Sequence, residues 1–424
     1  MRRRRSIGEL SPAHALVCGR GAIEQVKNRL SRCPSFGVRG TLKLKIALIH
    51  KRLDFSGGTE RDLFRTAQGL AQLGHEVHLF CAEYRVAVPE GVTAHRVSVM
   101  PLGRTARLLS MALRMPKIVR RRGCHLVMSF DRIPGCDVLR CGAGTHRGYL
   151  ASLDHESGVL RRLWHDLSPY HRAVLALEHR QFHSDRIKKI IAVSAEVKRD
   201  IMAQYGVDGE RIAVLYNGVD SRRFHPKRRA DSRHEVRSRW QIPAEAPLVL
   251  FVGSGFRRKG LDRLIRVWRM PALANTYLLV VGGDARLGFY RRWADSVAPG
   301  RILFAGAQEQ VEKYYGAADV LALPSLQEAF GNVVLEALAS GVPVLVSRCV
   351  GAAELLTGAL AGGIVERPDN AAELSAKLLR LLGSATGELE RSAARSIGEA
   401  HSWERHFRAL DALLHEVAAE SRVA

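Results

Sequence analysis

Short apolar runs recur through this chain, each followed by a turn and a helix-length segment, and that alternation leaves few folds open. In the first half the runs are LKIALIH (44–50), VHLFC (77–81), HLVMSFD (125–131) and KKIIAVS (188–194). The second half restarts with APLVLFV (246–252), YLLVVGGD (277–284), RILFAGA (301–307), DVLALPS (319–325), VPVLVS (342–347) and GGIVE (362–366). Apolar runs of this length without strict alternation are strands buried on both faces, and interleaved helices make them parallel. Two successive sets therefore predict an α/β protein of two doubly wound, Rossmann-like domains facing each other across a cleft.

The charged stretch FHPKRRADSRH (224–234), after IAVLYNGVD (212–220), marks the boundary, giving domains of 42–220 and 221–402. The amphipathic end of the chain, 403–424, is free in this reading to join the first domain. Residues 1–41 open with MRRRR and have no steady periodicity. They read as a disordered leader, with an Arg-rich transit peptide as the other reading, and lack the apolar core of a secretory signal.

Cys18, Cys33, Cys81, Cys124, Cys136, Cys141 and Cys349 form no C-x2-C pair and no zinc-spaced cluster. An odd, scattered set reads as free thiols in a reducing compartment. The formal charge of +23 points to an anionic partner: nucleic acid, a phosphorylated glycan or an acidic membrane face. An Arg-biased genome accounts for the same figure without any partner. RTARLLSMALRMPKIVRRR (104–122), with Arg107, Arg114 and Arg121 seven apart, suits an anionic surface or a plain solvated helix face. Pro116 should kink it.

Two stretches carry chemistry. In VLALPSLQEAFGNVVLEALASGVP (320–343) a strand ends at Pro324 and a helix runs from about Ala329 to Ser340, stopped by Gly341 and Pro343. Glu328 then sits at a helix N-terminus, where the N–H groups of Phe330, Gly331 and Asn332 suit a phosphate. Glu336, two turns on, suits two vicinal hydroxyls such as those of a ribose; the same spacing also occurs on solvated helices. In GSGFRRKG (253–260), Gly253 and Gly255 turn the chain after a strand, and Arg258 and Lys259 precede a helix. Two cations over a cleft suit a departing diphosphate; a basic loop on a basic protein is the plainer reading.

Gly57 and Gly58, between a strand and a helix, could admit a ligand phosphate or form a simple loop. The chain has no full G-x-G-x-x-G and no G-x-x-x-x-G-K-[ST], so a dinucleotide or NTPase site is unsupported. Asp131, Arg132 and His146 are candidates because DRIPGCDVLRCGAGTHRGYL (131–150) reads as a loop at a strand end, although a lone His is more often structural.

Taken together, GGTERD (57–62), GFRRKGLD, NGVD and EAFGNVVLEALASGVPVLVS, followed by G-x-x-E (Gly351 to Glu354), resemble glycosyltransferase family 4, retaining enzymes of the GT-B fold. Within it, RIPGCDV with GFRRKGLDR is most similar to members that add glucose to an inner-core heptose of lipopolysaccharide. The resemblance implies that Arg258 and Lys259 bind the donor diphosphate and Glu336 the ribose. Glu328, with the backbone of Ala329, Phe330, Gly331 and Asn332, would face the transferred sugar and phosphate. Gly57, Gly58 and Thr59 would close from the other domain, with Asp62 nearby.

It further implies a nucleotide-sugar, UDP-glucose in the first instance, as substrate rather than cofactor, and no metal; no D-x-D stands at a strand end. The implied acceptor is an anionic glycolipid reached from the cytoplasm, with peripheral contact to the inner membrane face and no nucleic acid. The diphosphate leaves through an oxocarbenium-like transition state, and its own oxygen takes the acceptor proton. One position departs: Ala143 stands where relatives often carry Asp, so His146 or Asp131 substitutes for it, or the acceptor differs. A nucleic-acid binder is suggested by charge alone, without zinc-finger, RNP or KH pattern. A nucleotide-sugar hydrolase or epimerase on the same scaffold is the third reading.

Overall fold

The computed structural model describes residues 42–55, 57–154, 167–384 and 387–423; the leader 1–41 lies outside them. Leu44–Ala424 form one compact unit. Within it, one parallel sheet contains β1 (Lys45–Leu53), β2 (Glu76–Tyr84), β3 (Val92–Arg96), β4 (Leu126–Ser129), β5 (Val138–Cys141), β6 (Lys189–Ala192) and β7 (Ile212–Val214). Their order is β3-β2-β1-β4-β5-β6-β7. The second parallel sheet contains β8 (Leu248–Val252), β9 (Tyr277–Val281), β10 (Ile302–Gly306), β11 (Val320–Leu323), β12 (Val344–Ser347) and β13 (Ile364–Val365), in the order β10-β9-β8-β11-β12-β13. In each sheet the order reverses once, between β1 and β4 and between β8 and β11. At such a point the connections leave towards opposite faces and open a crevice at the carboxyl ends of the strands.

Local departures from the sequence reading have local causes. The segment 131–150, expected as loop, contains β5: VLRC is buried throughout, and Arg140 within it disguises the apolar run. Three residues of the edge strand β3, VTAHR, are exposed, so its pattern is weak. The helix expected from Ala329 begins at Asn332, because Gly331 has φ +93°, a left-handed conformation that cannot continue into a helix. The basic stretch forms the helix Gly103–Arg120, with Pro116 inside it.

The helix Trp403–Val423 returns to the first lobe, where Leu410, Leu414 and Val417 share a buried cluster with Leu63, Ala67 and Leu70. The Phe407 ring occupies the place of a side chain at Gly69, where a Cβ would lie 2.4 Å from it. His75 anchors the contact: its Nδ1 accepts from the Leu44 N–H at 3.2 Å, so the proton sits on Nε2, 2.8 Å from Asp411 Oδ1. His415 Nε2 lies 3.3 Å from the same oxygen. These three groups are close enough to suggest a metal site, but this tautomer leaves His75 Nε2 without a lone pair for a cation. The cluster is a polar clip. Asp411→Ala strands a buried N–H and is expected to cost about 1–3 kcal/mol, read as a lower urea midpoint at unchanged slope.

In the second lobe Asp319, just before β11, accepts from Arg229 at 2.8 Å, Arg233 at 3.0 Å and Arg237 at 2.9 Å. It also accepts from the Leu248 N–H at 2.9 Å. One carboxylate thus ties the helix Arg228–Arg239 to the start of β8, and part of the excess basic charge is structural.

Candidate active site

The crevice of the second lobe is built from the ends of β8 and β11. After β8 the chain turns through Gly253 and Gly255 into the one-turn helix Phe256–Lys259. Gly253 has φ +146°, and a Cβ there would meet the Lys259 side chain at 2.6–2.9 Å, so glycine lets the lysine fold across the turn. Gly260 serves a similar close approach: its Cβ would lie 2.0 Å from the Pro324 carbonyl oxygen beyond β11. The two loops are joined by the Leu326 N–H donating to the Arg258 carbonyl at 2.9 Å. Arg258 Nη1 lies 2.9 Å from Glu328 Oε2, and Lys259 Nζ lies 3.2 Å from the same oxygen. The two sequence signals therefore meet at one carboxylate. Burial pushes the Glu328 carboxyl up, but Lys259 and Arg258 outweigh it and hold it below its usual range.

Beyond Glu328, none of the N–H groups of Ala329, Phe330 and Gly331 donates to another described residue. They stand at the positive end of the helix Asn332–Ala339, beside two cations, an arrangement that accepts phosphate oxygens. Glu336 lies farther along that helix, accepting from the Tyr315 hydroxyl at 2.7 Å. Burial raises its carboxyl, opposed by Tyr315 and by Arg61 of the other lobe.

The first lobe meets this site with the segments that follow β1 and β5. Gly57 lets the Glu60 carboxylate fold back over the turn, since a Cβ would lie 2.2 Å from its Oε2. A Cβ on Gly58 would come within 4.0 Å of the Asn332 side chain, which places the Gly-Gly turn against the first residue of the helix Asn332–Ala339. Thr59 faces Gly142, 3.8 Å from where its Cβ would be, and Gly144 similarly approaches Ala329 at 3.9 Å. Asp62 is buried and accepts from Asn217 at 3.0 Å and Asn332 at 3.3 Å. Asn217 in turn donates to Asn332 Oδ1 at 2.7 Å and accepts from buried Arg140 at 2.5 Å. A chain of polar contacts thus runs from β5 through Asp62 to the first residue of the helix Asn332–Ala339.

Asp131 does not reach Glu328. It lies 3.6 Å from His50, which lies 3.8 Å from Glu60 on its other side. Burial raises the Asp131 carboxyl, but His50, Lys51 and Arg132 hold it below the usual range. Glu60 is lowered to about 2, by His50 first and against the effect of burial. Arg132 is committed to buried Glu178 at 2.9 Å. The His146 N–H donates to both Glu178 oxygens, at 2.8 and 2.9 Å, while its ring meets His171 at 3.0 Å. His146 therefore belongs to a separate polar group of the first lobe.

The lobes are pinned behind the site. Ser194 donates to the Ala329 carbonyl at 2.8 Å, and Glu354 accepts from the Ala195 N–H at 2.8 Å. Gly351 is wedged there, since a Cβ would meet the Ala329 oxygen at 2.2 Å and Ser194 at 2.7 Å. This gives the G-x-x-E motif its physical reason.

Family models match on both sides of the boundary. "Glycosyltransferase Family 4" covers residues 56–223 and "Glycosyl transferases group 1" covers 232–398. Between them the two glycosyltransferase models match most of the chain. Among its relatives is the lipopolysaccharide glucosyltransferase WaaG of Escherichia coli K12, 27% identical over 77% of this chain and 86% of the relative. The crystal structure of WaaG superposes with a TM-score of 0.72 at 25% identity, covering 87% of this chain and 99% of that one. A D-inositol 3-phosphate glycosyltransferase of Geodermatophilus obscurus is 28% identical over 87% of both chains. The Anabaena protein HepE, crystallised with UDP-glucose, shares the fold: TM-score 0.63 at 17% identity, over 88% of this chain and all of that one.

Sequence reasoning passed over His50, Glu60, Arg140 and Asn217. His50 was visible only as the last residue of an apolar run, and Asn217 only inside NGVD. Asp62 yields a pH test. Burial first, against Arg140 and the two asparagines, pushes its carboxyl from the ordinary 3.8 to about 6. Between those values the folded chain holds a proton that the unfolded chain releases, so stability falls as pH rises from 4 to 6 and the loss is complete above. The fall attributable to Asp62 is up to about 3 kcal/mol. Urea titrations across that window should show a shallower slope for Asp62→Asn; parallel slopes would contradict the assignment.

Proposed function

We propose that this protein transfers a hexose, glucose in the first instance, from a nucleotide diphosphate donor to a lipopolysaccharide core or similar membrane-borne glycan, with retention of configuration. The observation that carries the reading is the convergence of Arg258 and Lys259 on Glu328 within 2.9–3.2 Å, beside a helix N-terminus and opposite the Gly57–Gly58 turn. The two cations and the N–H groups of Ala329 to Gly331 take the diphosphate, Glu336 the ribose hydroxyls, and Glu328 the sugar. The bond from the anomeric carbon to the diphosphate breaks as the acceptor oxygen bonds to the same face. The acceptor proton passes to the departing diphosphate oxygen, so no nucleophilic carboxylate and no metal are required. Holding the partners together and neutralising the leaving group supply the rate.

The names of the relatives support this reading: WaaG acts on lipopolysaccharide, the Geodermatophilus protein on a phosphorylated inositol, and HepE was crystallised with UDP-glucose. Among the described residues no helix is long and apolar enough to cross a membrane. Membrane contact falls instead to the helix Gly103–Arg120, which exposes Leu109 and Leu113 among basic residues. On the inner face of the cytoplasmic membrane each such cation adds about 1 kcal/mol, fading with salt. The test is a panel of UDP-, ADP- and GDP-hexoses with truncated core oligosaccharide, with and without chelator, read by mass spectrometry and anomeric NMR. Transfer from one donor with retention is expected, inhibited by UDP and not by DNA. Free or isomerised sugar formed without acceptor would turn the assignment to a hydrolase or epimerase.

A further inference from the structure

We propose that a basic pocket at the rim of the first lobe binds an anionic group of the acceptor glycan, either a phosphate ester or a sugar-acid carboxylate; this rests on the glycosyl-transfer reading above. The cavity, about 820 Å³, opens between the ends of β2 and β3 and the start of the helix Gly103–Arg120. Arg96, Arg104 and Arg107 line it, and Glu83 is the one acidic residue in its described wall. That carboxylate is already shared between Arg85 at 2.7 Å and Arg107 at 3.1 Å. Arg107 is thereby held in place, and Arg104 is fixed by packing over the Tyr170 ring, 4.2 Å from its centroid. The side chain of Arg96 makes no ion pair or hydrogen bond with any described residue. The pocket thus holds more positive charge than its walls compensate, on guanidinium groups that favour the paired oxygens of phosphate and carboxylate. The adjoining helix adds to this, since Leu102 offers its first turn no side-chain cap.

Position gives the ligand its identity. β2 and β3 lie one and two places from β1, and the end of β1 leads to the Gly57–Gly58 turn of the reaction crevice. Neighbouring strands are about 4.8 Å apart, so the pocket lies about 5–10 Å along the sheet from that crevice. This is the span of one or two sugar rings. A glycan whose hydroxyl lies in the crevice would set a charged group on an adjacent ring into the pocket, while the nucleotide is held by the opposite lobe.

The experiment compares the full chain with its Arg96→Ala/Arg104→Ala double variant on delipidated core oligosaccharide, used native, dephosphorylated or carboxyl-reduced. On the native acceptor the variant should raise acceptor KM about 10- to 100-fold, the scale of lost charge-assisted hydrogen bonds. Its kcat and donor KM should stay unchanged. Wild type should show the same rise on whichever treated acceptor has lost the recognised group, and the variant should be indifferent to that treatment. Equal acceptor KM for both proteins on the native oligosaccharide overturns the proposal. So does a defect seen only with phospholipid vesicles present, which would make the pocket a headgroup site. Absence of transfer by wild type to every acceptor removes the transfer reading itself, whereas transfer indifferent to the anion removes the pocket alone.

Discussion

Lys259→Ala is expected to lower kcat by about 10²–10³-fold, the usual scale for deleting one donor aimed at transition-state charge. The lysine is 8% exposed, folded across Gly253, with its ammonium 3.2 Å from Glu328. A charge so placed gains strength as a diphosphate departs, because little water competes for it. Loss should therefore appear in kcat as well as kcat/KM, not in donor KM alone. Arginine is not expected to rescue the activity, since the clearance above Gly253 leaves no room for a planar fork. Arg258 still pairs with Glu328 in the variant, so the urea midpoint should barely move. Steady-state kinetics at saturating donor make the measurement, and a kcat within threefold of wild type would remove Lys259 from the mechanism.

Asp319→Ala should cost about 3–5 kcal/mol, the range for removing one partner of a buried ion pair. Arg237 carries most of that effect. It is 3% exposed, burial pulls its guanidinium down to about 10 against the pull of Asp319, and without the carboxylate it remains charged and uncompensated. The Leu248 N–H loses its acceptor as well. Against a stability of about 5–15 kcal/mol for an ordinary domain, this is a large share. The second lobe should melt at markedly lower urea than wild type. Replacing Asp319 and Arg237 together by apolar residues should recover part of the loss, since the desolvated cation is then gone.

Both crevices were legible because the apolar runs that form β1, β8 and β11 are continuous and their ends carry glycine or proline. Glu328, Arg258 and Lys259 could be joined in advance because strand order in a doubly wound sheet puts the ends of β8 and β11 side by side. The first lobe's share was harder to see. Arg140 interrupts the pattern of β5, and His50 stands inside β1, three residues before its end, without any turn signal. Asn217 works through Asp62, Asn332 and Arg140, residues 155, 115 and 77 positions away. No local spacing reports such a contact. The acidic helix-capping role of Glu354 was hidden for the same reason, since its partner Ala195 is 159 positions earlier.

The clip between His75 and Asp411 spans 336 positions, and the helix bearing Asp411 supplies Leu410, Leu414 and Val417 to the core around β1. During synthesis the first lobe emerges early yet lacks one wall until the helix Trp403–Val423 has left the ribosome. The second lobe has its whole sheet in hand before that moment. Birth order and completion order are thus reversed, and a nascent chain halted before residue 403 would leave an oily face of the first lobe open to chaperones.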